Sequence, residues 1–157
     1  MTAEERIAEM GIVLPAVAKP RWTYAPVVRS GNLLFVSGQI GTENGRVLFP
    51  GKLGREIDVE GGREAARACA ISALAVVRQS LGSLDAVARV VKLTVFVASA
   101  EGFSDQPTVA NGASDLLRDV FGDEAGVGAR SAVGVAELPL GASVEAEFVF
   151  ESVVGSE

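Results

Sequence analysis

The stretch GARSAVGVAELPLGASVEAE, residues 128–147, places one arginine at the start of an apolar run. Arg130 stands among small residues, and a charged side chain at the mouth of an apolar strand requires a match for its charge. A guanidinium fits a carboxylate through two parallel hydrogen bonds. Arg130 is therefore a candidate carboxylate-binding residue, although an arginine on the solvated face of a strand would give the same pattern.

The second half of this stretch predicts a turn followed by a strand. Residues 138–141, Leu-Pro-Leu-Gly, combine a proline that fixes φ with a glycine that adopts most backbone conformations. Apolar and acidic residues then alternate with the period of a strand that has one apolar face. Phe148 would face a core, and Glu145 and Glu147 would face the opposite side.

Composition and charge limit the class of protein. A chain of 157 residues, 48% of them apolar, is predicted to fold as one domain, residues 1–157, with its own core. The net charge of −6 and the lack of any Lys/Arg run argue against nucleic acid as a partner. Cys69 is the only cysteine, which excludes an intrachain disulfide and is typical of a reducing, cytoplasmic compartment. Its place on the apolar stripe of a predicted helix indicates a small core residue.

The chain contains no histidine. Ser-His-Asp and Cys-His catalysis, His-ligated metal sites and a histidine-based ribonuclease are thereby excluded. Any general base is then Asp, Glu, Lys, Tyr or a positioned water. Carboxylates could still hold a hard cation, but no spaced acidic loop is present, so we expect no metal.

The N-terminal segment is predicted to extend the domain with a short helix. Residues 2–10 begin with Thr2 and two glutamates, which resembles a helix start. Two prolines within residues 15–20 predict an irregular extended segment, and residues 1–20 or so are interpreted as the extension. Acidic residues precede any apolar run, and no run could span a bilayer, so we expect neither a signal peptide nor a membrane partner.

A β-hairpin is predicted next. Two apolar runs within residues 27–36 flank a Ser-Gly-Asn turn signal. Ser37 and Gly38 follow, and small residues after a strand allow a ligand or another backbone to approach closely, although a simple strand end fits them equally well. Residues 41–54 contain four glycines and predict a loop, which lacks the lysine and the spacing of a phosphate-binding loop.

The remaining periodicity sets the fold class. Helical spacing covers residues 60–81, with Asp58 as candidate N-cap and Gly82 as the stop, and recurs over about 103–121. Residues 90–97 alternate as a strand between these two helices. This order predicts an α+β sandwich in which a mixed sheet carries two helices on one face. The other face would be half apolar and half acidic, which favours self-association.

Two segments resemble known signatures. YAPVVRSGNLLFVSGQI, residues 24–40, and RSAVGVAELP followed by VEAE, residues 130–139 and 144–147, resemble the opening and closing signatures of the RidA/YjgF family. The helix–strand–helix order between them also fits, and the chain is similar to the longer, chorismate-mutase-like subgroup. The resemblance implies a chorismate-mutase-like (RidA-type) fold and a homotrimer with clefts between neighbouring subunits.

The resemblance also implies an enamine/imine deaminase, which hydrolyses reactive 2-imino acids to 2-keto acids and ammonia without a cofactor. Arg130 would bind the substrate carboxylate, and Glu145 would orient the attacking water. The cleft would also be lined by Tyr24, Ser37, Gly38 and Asn111. One position departs from the family, because Ala132 stands where well-studied members carry a cysteine, so no thiol can contribute there.

Three other functions fit the same residues. A non-catalytic sensor trimer would bind small carboxylates in the same cleft, and the missing cysteine favours it. A structural trimer would act through protein contacts alone. A chorismate-mutase-like enzyme would need more than one cation for its dicarboxylate substrate, and Arg130 is the one cleft arginine that the sequence identifies. Ligand binding without turnover would separate the sensor from the deaminase.

Overall fold

The alternating strands form a five-stranded mixed sheet in the computed structural model, which describes residues 1–154. The strands of this sheet are β1 Val27–Ser30, β2 Leu33–Gln39, β5 Val87–Ala98, β6 Ala129–Val135 and β7 Val144–Ser152, and a separate hairpin pairs β3 Thr42–Glu43 with β4 Arg46–Val47. The order is β1-β2-β7-β5-β6, and all neighbours are antiparallel except β5 and β6. The predicted mixed sheet is therefore confirmed.

Three helices accompany the sheet within residues 1–154: α1 Ala3–Glu9, α2 Val59–Leu81 and α3 Gln106–Ala125. As predicted, the Asp58 side chain caps α2, and Gly82 ends it in the left-handed conformation at a φ of 85°. α3 begins later than predicted, at Gln106, because Pro107 occupies its first turn, where the helix leaves N–H groups unpaired. None of these helices combines the length and apolarity that crossing a membrane requires.

The core lies between the helices and one face of the sheet. α2 and α3 pack against each other and against this face, as predicted. Alternate residues of the central strands fill the layer, including the fully buried Val95 and Val97 of β5 and Phe148 and Phe150 of β7. Ile7 of α1 joins the same core, so the N-terminal helix packs on the domain.

Residues 41–54 were predicted as a loop, and part of that prediction is wrong. Asn44 and Gly45 both adopt positive φ, 51° and 76°, and join β3 to β4. Positive φ at both central residues is the geometry of a type I′ turn, which matches the twist of a hairpin and strongly favours Asn-Gly. The Asn-Gly pair was the sequence signal for this hairpin.

The sheet topology separates the last two strands. β6 pairs in parallel with β5, while β7 pairs with β5 on its other side. A strand–helix–strand unit such as β5-α3-β6 forms a parallel pair through its crossover helix. The chain then crosses a 3-10 turn at Pro139–Gly141 and passes beyond β5 to form β7.

The second sheet face carries no helix within residues 1–154 and is partly apolar, as predicted. Its most exposed apolar side chains are Val28, Phe35 and Val133, which are 56%, 46% and 42% exposed. Glu145 and Glu147 of β7 lie on this face, because Val144, Ala146 and Phe148 point into the core. We call it the open face.

Candidate active site

Two side chains of helix α3 hold the guanidinium of Arg130. Its Nη1 donates hydrogen bonds to Asn111 Oδ1 at 2.7 Å and to Ser114 Oγ at 3.2 Å. Both partners are neutral, and none of the described carboxylates forms an ion pair with Arg130. The guanidinium is therefore fixed in position while its charge and its remaining N–H donors stay available to a ligand.

The helix spacing explains this arrangement. Asn111 and Ser114 are three residues apart in α3, so they share one helical face, and that face looks toward β6. Asn111 was predicted from the family resemblance, and the structure brings it to Arg130. Sequence reasoning did not find Ser114, because its three-residue distance from Asn111 becomes a signal only once α3 is known to cover β6.

A second cluster of candidate residues lies at the end of β2, where Gly38 meets Glu145 of β7. Ser37 Oγ donates to the carbonyl oxygen of Ala25 at 2.6 Å, and Ser37 N donates to that of Pro26 at 2.9 Å. These bonds tie the segment that carries Tyr24, which is 52% exposed, to the strand end. Gly38 lies directly against Glu145, because a Cβ at this position would overlap the carboxylate. The pairing between β2 and β7 shifts register here, between Val36 and Gln39.

The Glu145 carboxyl has an unusual electrostatic setting. Partial burial raises its pKa above the ordinary value for a glutamate, and the charge of Glu147 raises it further. No described residue forms a hydrogen bond or an ion pair with its side chain. A half-buried carboxylate without a partner can accept a proton from water more readily than an exposed one.

The two clusters lie on opposite faces of the sheet. Arg130 pairs in register with Leu93, which points into the core, and Glu145 pairs with Phe96, three residues further along β5. An odd number of residues along a strand reverses the face. The strands of Arg130 and Glu145 follow each other in sequence, which would favour a short distance between the two side chains, but the sheet keeps them apart within one chain.

The remaining candidate groups have simpler roles. Cys69 is fully buried on α2, and burial raises the pKa of its thiol to about 12, so it is a core residue as predicted. Ala132 lies two residues after Arg130 on β6 and is partly buried against the core. Residues 1–154 contain no cluster of three or more Cys, Asp or Glu side chains placed to hold a metal ion.

The chain is similar to known proteins over most of its length. Residues 4–152 match the family described as "YjgF/chorismate_mutase-like, putative endoribonuclease". Protein TCP17 of Trypanosoma cruzi is 48% identical over 145 residues, which cover 92% of this chain and 91% of that protein. A 2-iminobutanoate/2-iminopropanoate deaminase of Dermatophagoides farinae is 32% identical over 139 residues, covering 88% and 92%. The crystal structure of Atu1372, a protein of unknown function from Agrobacterium tumefaciens, matches with a TM-score of 0.87 and 43% identity, covering 96% and 92%.

Together these observations define, within residues 1–154, an α+β sandwich with an arginine that has no ion-pair partner on one edge strand and a carboxylate without a hydrogen-bond partner on its open face. The chain belongs to the YjgF/chorismate mutase-like family, whose other common name is RidA. The family resemblance that the two sequence signatures indicated is thereby confirmed.

Proposed function

We propose that this protein hydrolyses 2-imino acids to 2-keto acids and ammonia in clefts between the subunits of a homotrimer. The observation that carries the proposal is the pair of charged side chains, Arg130 and Glu145, each built into its own cluster without a neutralising partner among the described residues. The Dermatophagoides farinae relative, whose name is that of an iminobutanoate and iminopropanoate deaminase, supports the same chemistry.

The placement of the two clusters supports a shared site. Arg130 belongs to β6, a free edge of the sheet, and Glu145 belongs to the open face, which is partly apolar. Since one chain holds these side chains on opposite faces, they can act on one small molecule only when the edge of one subunit meets the open face of another. A closed ring of three subunits repeats this contact three times.

The chemistry follows from the two charges. Arg130 binds the carboxylate of the imino acid through paired hydrogen bonds and holds the C=N carbon at a fixed position. Glu145 accepts a proton from water, whose oxygen bonds to that carbon while the imine nitrogen takes a proton from solvent, which gives a carbinolamine. Glu145 then returns its proton to the amine nitrogen, the C–N bond breaks to release ammonia, and the hydroxyl group gives its proton to solvent as the keto group forms. The fixed carboxylate acts more strongly where an interface excludes water.

Two substitutions test the separate roles. Arg130→Ala should weaken binding of 2-oxobutanoate by about 1.5–3 kcal/mol, the range for hydrogen bonds to a charged group, and Arg130→Lys should recover little of it. Glu145→Gln keeps the shape of the side chain and should lower turnover of imines generated in situ by an amino-acid oxidase, while keto-acid binding stays nearly unchanged. Glu101→Gln, on an exposed loop, is the control for net charge.

The pH profile gives a further readout of the same test. Turnover requires the ionised form of Glu145, so it should be retained above the pKa of this group and lost as pH falls through it. Because that pKa is raised, the loss should begin at a higher pH than the value of about 4.3 for an ordinary glutamate. Clear keto-acid binding without acceleration of any imine would reject the deaminase and support a non-catalytic carboxylate sensor.

A further inference from the structure

A cavity of about 230 Å³ lies beside Arg130, between α3 and the loop that leads into β6. Leu93 of β5 forms part of its wall, and Gly126 and Gly128 border it with little side-chain bulk. Its polar lining comes from Ser114, Asp115 and Arg118 of α3 together with Arg130 itself. The space next to the carboxylate-binding arginine is therefore large enough for a small metabolite and contains a second guanidinium.

Helical spacing places this second cation on the same face as the Arg130 partners. Arg118 follows Ser114 by four residues, which is about one helical turn, and Ser114 bonds to Arg130. An anion held by Arg130 would thus lie about one turn of α3 away from Arg118. Two carboxylates joined by a short carbon chain match that arrangement.

The Arg118 guanidinium is only loosely held by the protein. Its nearest carboxylate oxygens, on Asp115 and Asp119, are 3.6 and 3.7 Å away, beyond hydrogen-bond distance. Asp115 interacts more closely with Arg63, at 3.3 Å. The side chain of Arg118 is 47% exposed, so its N–H donors are accessible.

The acidic residue in the cavity wall does not prevent anion binding. Glu60 also lies near Arg63, at 3.9 Å, and Asp119 near Arg118, at 3.7 Å, but neither of these carboxylates lines the cavity, where Asp115 faces two arginines, Arg118 and Arg130. With Arg130 unpaired, the wall keeps an excess of positive charge toward the cavity. A second carboxylate in the ligand would complete the pairing.

We propose that Arg118 binds a second carboxylate, so that the preferred ligands of this site are dicarboxylic 2-imino and 2-keto acids. The inference rests on the proposed function for the reaction itself, but its ligand preference can be measured without turnover. Arg130 would bind the carboxylate next to the reacting carbon, and Arg118 would bind the one at the far end of the chain. A monocarboxylic acid would leave Arg118 unused.

Titration calorimetry with 2-oxoglutarate and 2-oxobutanoate tests this preference. The unmodified protein should bind 2-oxoglutarate at least about tenfold more tightly, since a charge-assisted hydrogen bond is worth a tenfold change or more. Arg118→Gln should remove most of this preference and leave 2-oxobutanoate affinity within about twofold. Arg55→Gln removes the same charge from an exposed arginine that does not line this cavity and should retain the preference.

The outcomes distinguish this inference from the proposed function. Equal affinity of the unmodified protein for the two keto acids, or an equal loss for both in Arg118→Gln, overturns the role of Arg118. Measuring decay of 2-iminoglutarate and 2-iminobutanoate in parallel then separates the two ideas. Hydrolysis without a dicarboxylate preference would support the deaminase and overturn the role of Arg118. A dicarboxylate preference without hydrolysis would support the role of Arg118 in ligand binding and overturn the deaminase.

Discussion

Gly38 leaves space for the Glu145 carboxylate on the open face, because it has no side chain. Its backbone lies so close to Glu145 that any Cβ would overlap the carboxylate, and its φ is not in the left-handed region. Alanine can therefore adopt the local backbone conformation, and the conflict falls on the end of a flexible side chain. Gly38, whose sequence context fits a strand end as well as a ligand cleft, thus determines where the proposed catalytic carboxylate lies.

Gly38→Ala should displace the Glu145 carboxylate and lower kcat for imine hydrolysis by about 10–100-fold, because small misplacements of a reacting group are costly. The free energy of unfolding should fall by less than about 1 kcal/mol, since the displaced group can rotate away. Chemical denaturation and imine decay measure the two effects. In a Glu145→Gln background the substitution should cost no further activity, and an additional loss of the same size there would contradict the argument.

At the scale of secondary structure, α2 and α3 cross closely at Gly112. An added Cβ would overlap the carbonyl oxygen of Arg63, which belongs to the backbone of α2 and cannot rotate away. The sequence alone indicates the opposite sign for Gly112→Ala, because alanine is favoured over glycine within a helix by about 1 kcal/mol. The steric cost of a Cβ at the helix crossing therefore opposes the gain in helix propensity, and the larger of the two free energies decides the sign.

Gly112→Ala should destabilise the protein by about 1–2 kcal/mol, because overpacking at the upper end of its usual range of about 1–3 kcal/mol exceeds the gain in helix propensity. Urea denaturation should show a lower midpoint with an unchanged slope. Ser80→Ala, at an exposed position of α2, changes propensity without a contact and serves as the control. A gain in stability for Gly112→Ala would show that the helices move apart at no cost.

Local sequence patterns predict the helices and strands far better than they predict which strands pair. Periods of two and of 3.6 residues, together with Asp58 and Gly82, locate the hairpin, the long strands and α2, because these signals are contained within each segment. Which strands become neighbours depends on residues distant in sequence. The order β5-α3-β6 predicts a parallel pair, but no local signal places β7 against β5 rather than against β6, and that pairing is what separates Arg130 from Glu145.

The candidate site was predictable in its residue types and only partly in its geometry. Arg130 and Asn111 do meet, and Gly38 does lie beside Glu145. Ser114 and Arg118 could not be assigned from the sequence, because a serine and an arginine on a solvated helix face look alike whether or not a cavity lies beneath them. Their distance from Asn111, three and seven residues, becomes informative only once α3 is known to cover β6.

At the scale of the whole molecule, the opposite placement of Arg130 and Glu145 leads to a subunit-mixing experiment. Arg130→Ala and Glu145→Gln should each retain only a small part of the activity in imine hydrolysis. The two variants are then mixed equally, unfolded and refolded together. Three in four of the resulting trimers contain both variants, and each of these has one site in three with both Arg130 and Glu145, so about a quarter of all sites should be active. Sedimentation equilibrium should first show trimers for both variants.

Two results would contradict the shared site. Activity that does not rise after confirmed subunit exchange would mean that each cleft takes both residues from the same chain or does not use both. A monomer at micromolar concentration in sedimentation equilibrium would remove the basis for the clefts. The unmodified protein, unfolded and refolded in the same way, controls for losses during refolding.

The free edge of β6 has a consequence for the chain when it is alone. Ala129–Val135 is regular in register and contains one charged residue, no lysine and no proline. Soluble proteins prevent other strands from adding to a sheet edge by placing lysine, proline, several charged residues or a β-bulge there, and β6 lacks these protective features. A separated subunit would therefore expose the unpaired backbone N–H and C=O groups of β6 beside an apolar face. Subunits released from the trimer by dilution or partial unfolding should aggregate rather than remain as stable, soluble monomers.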